Sequence, residues 1–212
     1  MLLSGGLDSA VALYWALSKG YRVNTLTFNF FRRSRKEIEA SKRLSRIVKS
    51  THYEINLEFL KEIEDSTMLR NKKLFSALSA YIPSRNLIFY GIASSISELI
   101  DARYIVGGHN REDASSFPDS SERFFKQFNK VTSIGLFTKD KTGRVILPLS
   151  KLTKVSVIKL GAKLGVPFEL TWSCYKENRF PCGKCHACVM REKAFRSLGI
   201  TDPLRKETTV RS

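Results

Sequence analysis

Short apolar runs alternate along the chain with longer stretches whose apolar residues recur at helical spacing. This is the pattern of an α/β protein with a parallel sheet flanked by helices. The opening Met1-Leu2-Leu3 is a brief apolar run meeting SGGLDS (4–9), after which Val11, Leu13, Tyr14 and Leu17 mark a helix closed by Gly20. RVNTLTF (22–28) alternates as a strand, residues 35–49 suit a helix with Ile38, Leu44, Ile47 and Val48 inward, and HYEINL (52–57) suits a third strand. Residues 57–81 suggest short helices and loop, and Pro83 opens a helix through RNLIFYGIASSISELI (85–100). RYIVGG (103–108) is a short buried strand, followed by a polar loop, HNREDASSFPDSS (109–121), where ligand groups are expected. An amphipathic stretch carries Phe124, Phe125 and Phe128, and SIGLFT (133–138) and RVILPL (144–149), split by KDKTG, should form a hairpin or flank a loop. Thr153 is a good N-cap for VSVIKLGAKL (155–164), Gly165 and Pro167 mark that helix's end, and a final helix ends at Gly199.

At 212 residues, with 42% hydrophobic and 26% charged, the chain suits one folded domain or one plus a small appendage. It contains no run of eighteen apolar residues and no leader-like start, so no membrane partner is expected and the cytoplasm is the default address. Lys and Arg exceed Asp and Glu by 36 − 20 = 16, which suits a polyanionic or phosphorylated partner and equally a merely basic surface. Residues 32–49 hold eight basic and two acidic residues. A solvated amphipathic helix accounts for them better than an RNA-binding module does.

Two motifs carry chemistry. Cys174, Cys182, Cys185 and Cys188 follow C-x7-C-x2-C-x2-C, close enough for one tetrahedral Zn²⁺ at about 2.3 Å per bond. Gly183 permits the knuckle turn, and Lys176, Arg179 and Lys184 offset the charge of four thiolates. Four sulfurs leave no open position, so the metal would be structural, with His186 exposed beside it. An iron–sulfur cluster and a redox thiol pair are the competing readings. The second motif, SGGLDS, sits between strand and helix. Consecutive glycines let an anion approach the backbone, and the unpaired helical N–H groups and helix dipole attract phosphate. Neither GxxxxGK[ST] nor GxGxxG is present, which argues against a Walker or dinucleotide site.

SGGLDS resembles the PP-loop of N-type ATP pyrophosphatases, which split ATP between the α and β phosphates and adenylate a substrate oxygen. YIPSRNLIF (81–89), VGGHNREDASSFPD (106–119), LPLSKLTK (147–154), LGVPFELTWSCY (164–175) and PCGKCHACVMREKAF (181–195) are similar in order and spacing to the 7-cyano-7-deazaguanine synthase family. The resemblance covers nearly the whole chain. It implies a Rossmann-like, adenine nucleotide alpha hydrolase-like fold with a small C-terminal zinc knuckle. The division would be 1–172 for the PP-loop domain, 173–199 for the Cys₄ segment and last helix, and 200–212 for a tail. The implied reaction joins 7-carboxy-7-deazaguanine and free ammonia, with ATP and Mg²⁺, into 7-cyano-7-deazaguanine for queuosine and archaeosine precursors.

By the same resemblance, Ser4, Gly5, Gly6, Leu7, Asp8, Ser9, Arg85 and Asn86 bind nucleotide. Asp8 and Lys154 stabilise pyrophosphate and its metal, and Asp113 and Asp119 hold Mg²⁺ or a purine-like edge. Family analogy alone is compatible with a homodimer, and tRNA contact is left open without being expected. Two segments depart from the family's pattern: FNFFRRS (28–34) replaces FDYGQRH, and FPDSSERF (117–124) replaces YPDCRPEF, as in a divergent, archaeal-like branch. The first strand is also shorter than the family's, so that either it is curtailed or the start given lies downstream. An enzyme of the same class adenylating a tRNA base or a protein C-terminus is the alternative reading.

Overall fold

The computed structural model describes residues 1–31, 33–62, 82–138 and 141–204. Within them, the elements in chain order are α1 (Leu7–Ser18), β1 (Thr25–Asn29), α2 (Arg35–Ile47), β2 (His52–Asn56), α3 (Arg85–Leu99), β3 (Tyr104–Val106), α4 (Arg111–Ser116), α5 (Glu122–Gly135), β4 (Arg144–Ile146), α6 (Lys154–Lys163) and α7 (His186–Arg196). Short 3₁₀ turns occupy Pro118–Ser120 and Phe168–Leu170. Most of the segment expected to hold short helices and loop (57–81), Arg32, and residues 205–212 of the tail lie outside the described residues. No helix in the described part is long and apolar enough to cross a membrane.

β1 pairs in parallel with β2, from Thr25 opposite His52 to Asn29 opposite Asn56, and β3 pairs in parallel with β4. The opening residues join the two pairs. The Leu2 amide donates to Val106 O at 3.0 Å, the Leu3 amide to Leu26 O at 2.8 Å, and the Leu26 amide to Met1 O at 2.8 Å. The resulting order is β2, β1, residues 1–3, β3, β4, with all directions parallel, so the phosphate motif emerges from the middle of the sheet. That is the switch-point position at which open α/β sheets bind ligands.

Two apolar cores form where helices pack against the strands. One core holds Leu3, Leu7, Val11, Leu13, Leu44, Leu149 and Ile158; Ala194 and Phe195 of α7 join it, so the last helix is anchored to the body. The other holds Phe28, Tyr90, Ile105, Phe125, Phe128 and Val145. The caps read from sequence are present: the Thr153 side chain accepts from the Ser156 amide, and Gly20 ends the first helix with φ +76°. Of the two readings for SIGLFT and RVILPL, the hairpin is not formed among the described residues, and the two segments flank a connecting stretch instead. SIG finishes α5, and RVI lies parallel to β3. The Asn129 side chain accepts from the Val145 amide at 2.8 Å and donates to Val145 O at 3.0 Å, which fixes α5 along β4 in place of a second strand.

Candidate active site and metal centre

The phosphate loop is braced from within and behind. The Ser9 hydroxyl donates to Gly6 O at 2.9 Å and accepts from the Ser4 amide at 3.1 Å, and the Ser4 hydroxyl accepts from the Gly6 amide at 3.2 Å. These two serines therefore shape the loop as well as border the cleft. Gly5 has φ +79°, and a Cβ there would stand 2.1 Å from Glu37 O and 2.8 Å from the Ser41 amide nitrogen, so α2 lies directly against the loop. The Trp172 amide donates to Gly5 O at 2.9 Å from the opposite side. Leu7 points away: its side chain is buried in the core, leaving only its backbone for a ligand.

A cavity of about 310 Å³ opens beside the loop, bordered by Ser4, Gly6, Asp8, Ser9, Arg85, Asn86 and Asp113 among the predicted residues. Gly5 and Leu7 border it through their neighbours only. Lys154 reaches it through Asp8, whose carboxylate pairs with the Lys154 ammonium and accepts from Asn110 Nδ2 at 3.2 Å. Lys154 is the first residue of α6, where the helix dipole disfavours a cation. Asp8 keeps it there. Burial, and then the neighbouring Asp8 charge, raise the Asp113 carboxyl above its ordinary range. Asp113 also closes a capping box with Asn110 at the start of α4.

Asn86 and Asp119 play a more structural part than expected. Asp119 Oδ2 accepts from the Asn86 amide at 3.1 Å, while Asn86 Nδ2 donates to Asp119 O and Ser120 Oγ at 3.1 and 3.0 Å. Together they tie the start of α3 to the 118–120 turn and hold Arg85 beside the cavity. The Arg85 guanidinium lies 5.8 Å from the Phe89 ring centre, its pKa lowered by burial against the pull of Asp119 and Asp113.

Four ionisable residues bordering the cavity, Arg33, Glu37, Tyr90 and His109, were not among the assigned site residues. His109 sits between the rings of Tyr90 and Phe125, at 5.8 and 5.4 Å, and burial lowers its pKa to about 4, so it is neutral at physiological pH. The buried Tyr90 hydroxyl has no partner among the described residues. Arg33 and Glu37 come from the departing FNFFRRS stretch and the helix after it. Ser34 caps α2, and Arg33 turns into the cleft, donating to Ser4 O and Phe28 O, with Nε 3.5 Å from Glu37 Oε2. The signals for them in the sequence are the departure of FNFFRRS from the family's pattern, which leaves Arg32 and Arg33 where family residues are missing, and the spacing of Arg33 and Glu37, four apart at a helix start.

The four cysteines converge, their sulfurs all within 4.8 Å of one another. Backbone N–H groups point at them: Lys176 and Cys182 at Cys174 Sγ (3.3 and 3.4 Å), and Cys185 at Cys182 Sγ (3.3 Å). With Gly183 at φ +69°, this donor set fits a tetrahedral thiolate-binding metal. His186 is exposed outside the group. The loop beyond Cys174 grips α2, with Glu177 Oε1 accepting from the Arg35 amide at 2.8 Å and Lys36 Nζ donating to Arg179 O at 2.8 Å. The metal centre and the phosphate loop thus share α2 and Trp172 as supports.

Comparison with known proteins agrees with this arrangement. The family described as "Queuosine biosynthesis protein QueC" matches residues 1–199. A 7-cyano-7-deazaguanine synthase from Picrophilus torridus is 37% identical over 97% of this chain and 90% of its own length. One from Methanococcus maripaludis is 35% identical over 96% of each. Among solved structures, the NMN synthetase from Francisella tularensis superposes with TM-score 0.53 at 21% identity, covering 94% of this chain and 71% of that one. The U34-tRNA thiolase NcsA from Methanococcus maripaludis, with its [4Fe-4S] cluster, gives 0.50 at 17%, covering 99% and 66%. At these identities the two structures speak for the fold alone.

Proposed function

The chain belongs to the QueC family of queuosine biosynthesis proteins, and on that premise we propose that it converts 7-carboxy-7-deazaguanine and ammonia to 7-cyano-7-deazaguanine, as an ATP-dependent ligase. The observation carrying this reading is the junction of a phosphate-binding loop, a Lys154–Asp8 pair and an aromatic-walled cavity in one cleft.

A carboxylate is a poor acyl donor, and transfer of AMP to its oxygen, releasing pyrophosphate, creates a leaving group. Ammonia then forms the amide and AMP departs. A second adenylation, on the amide oxygen, permits loss of AMP and a proton to give the nitrile. The backbone of Gly5 and Gly6 and the start of α1 bind the triphosphate. Lys154 stabilises charge developing on the α phosphate and pyrophosphate, and Asp8 orients Lys154. Orientation of carboxylate and phosphate in one cleft supplies much of the remaining acceleration. Asp8 and Asp113, two neighbouring carboxylates, would hold Mg²⁺, which when bound neutralises phosphate charge. Cys174, Cys182, Cys185 and Cys188 would hold Zn²⁺, which when bound cross-links the 174–182 loop to α7.

Incubation of the protein with ATP, Mg²⁺, ammonium and 7-carboxy-7-deazaguanine, followed by mass spectrometry, tests the reading. Nitrile, AMP and pyrophosphate are expected. Their absence from metal-replete protein, or AMP release that requires tRNA or a protein, overturns it.

A further inference from the structure

The cavity has two ends of different chemistry. One is the phosphate loop. The other is walled by aromatic rings, Phe28 and Phe89 stacked at 4.5 Å and Phe30 inclined on Phe89 at 5.5 Å, with Glu37 and Arg33 on its border. The Arg33 side chain is 5% exposed and committed to backbone carbonyls, whereas the Glu37 side chain keeps 25% of its surface open. Among the described residues the Glu37 carboxylate has one ion-pair contact, Arg33 Nε at 3.5 Å from Oε2, at the long limit of a hydrogen bond. A carboxyl group held by one long contact thereby borders the cavity.

We infer that Glu37 is the specificity-determining residue that reads the guanine edge of the deazapurine, accepting hydrogen bonds from its N1–H and 2-amino group while Arg33 holds it in place. The inference rests on the proposed reaction and names the part of the site that selects its substrate. A carboxylate complements that edge because both facing groups are donors, so two parallel bonds form. It opposes the adenine of ATP, whose N1 is an acceptor, and so keeps the two purine-like ligands of one cleft apart. Placement agrees. Glu37 borders the same cavity as the loop residues Ser4, Gly6 and Asp8, where the substrate's own carboxylate must meet the α phosphate. The energetics agree as well, since burial raises the Glu37 carboxyl above its ordinary range against the attraction of Arg33 and Arg85, and two donors from the substrate would relieve that cost.

The test compares wild type and Glu37→Gln on three carboxylates: 7-carboxy-7-deazaguanine, its analogue lacking the 2-amino group, and its analogue with a 2-oxo group. Turnover of the first by wild type establishes the reaction independently; without it the proposed function fails and the inference with it. Given that turnover, wild type should lose about 100-fold in kcat/KM on removal of the 2-amino group, as expected where a buried acceptor is left unpaired. Glu37→Gln should be nearly indifferent to that group. It should also gain on the 2-oxo analogue, to which its amide can donate, while the KM for ATP stays within about threefold of wild type. Activity on the 2-oxo analogue requires a folded variant, so this arm separates recognition from collapse. Identical substrate ratios in both proteins, or a shift in the KM for ATP instead, would overturn the inference.

Discussion

Replacing Gly5 with alanine puts a single methyl group where the chain has no room for one. The residue holds φ +79°, which costs an L-residue about 1–2 kcal/mol. The new Cβ would lie 2.1 Å from Glu37 O and 2.8 Å from the Ser41 nitrogen, backbone atoms of α2 that cannot rotate aside. Overpacking of that kind adds about 1–3 kcal/mol, so the sum is about 3 kcal/mol, or a fall in Tm of about 6–12 °C for a chain of this size. The loop must move to relieve the contact, and a displacement near 1 Å costs about 100-fold in turnover. Gly6→Ala supplies the control. Its φ is ordinary and its nearest neighbour is the rotatable Ser4 hydroxyl at 3.2 Å, so its Tm should stay within about 2 °C of wild type. Scanning fluorimetry and pyrophosphate release measure both. Equal Tm values for the two variants, or Gly5→Ala turnover within threefold of wild type, would refute the reasoning.

Lys154→Gln should lower kcat for pyrophosphate release by about 100–1,000-fold with little change in Tm, since it removes transition-state charge stabilisation together with a cation badly placed at a helix start; a large Tm loss would mark the lysine as structural. Arg191, buried with Asp202 at 2.7 Å and also bonded to Thr171 Oγ1 and Phe168 O, clamps the segment leading to Cys174. Arg191→Met leaves Asp202 unpaired and should cost about 3–5 kcal/mol in urea melts. His109 carries a pKa of about 4 when folded against 6.5 when free, so the unfolded chain binds more protons between those values. Stability should be full above pH 6.5 and decline by up to about 3 kcal/mol as pH falls to 4, and His109→Phe should flatten that part of the curve in pH-dependent melts. Elemental analysis should find one zinc per chain, with chelation lowering both Tm and pyrophosphate release because Trp172 and α2 support the loop; iron with visible absorbance would contradict the zinc assignment.

The parts of the site that were legible in the sequence are those whose chemistry is local. SGGLDS declares its function within six residues because loop, helix start and glycine conformation are consecutive, and the four cysteines do so because a metal knuckle is built from near neighbours. Helix ends at Gly20 and Thr153 were legible for the same reason. The unread parts are tertiary. Nothing near Arg33 or Glu37 in the chain says that α2 lies against Gly5, and nothing near His109 says that Tyr90 and Phe125 enclose it. The RVI segment has the composition of a hairpin strand, but its partners are distant in the chain: β3 in parallel on one side and the Asn129 side chain, sixteen residues before Val145. Asn86 and Asp119 carry the right chemistry for ligands, and the structure also uses them to tie the start of α3 to the 118–120 turn, a contact between distant residues that the sequence does not show.

The proposed reaction requires each substrate oxygen to leave on AMP. Turnover of 7-carboxy-7-deazaguanine labelled with ¹⁸O in both carboxylate oxygens, with AMP and nitrile quantified by mass spectrometry, measures it directly. Two AMP per nitrile, each carrying one labelled oxygen, is the predicted result; label in inorganic phosphate, or nitrile formed without labelled AMP, would contradict it.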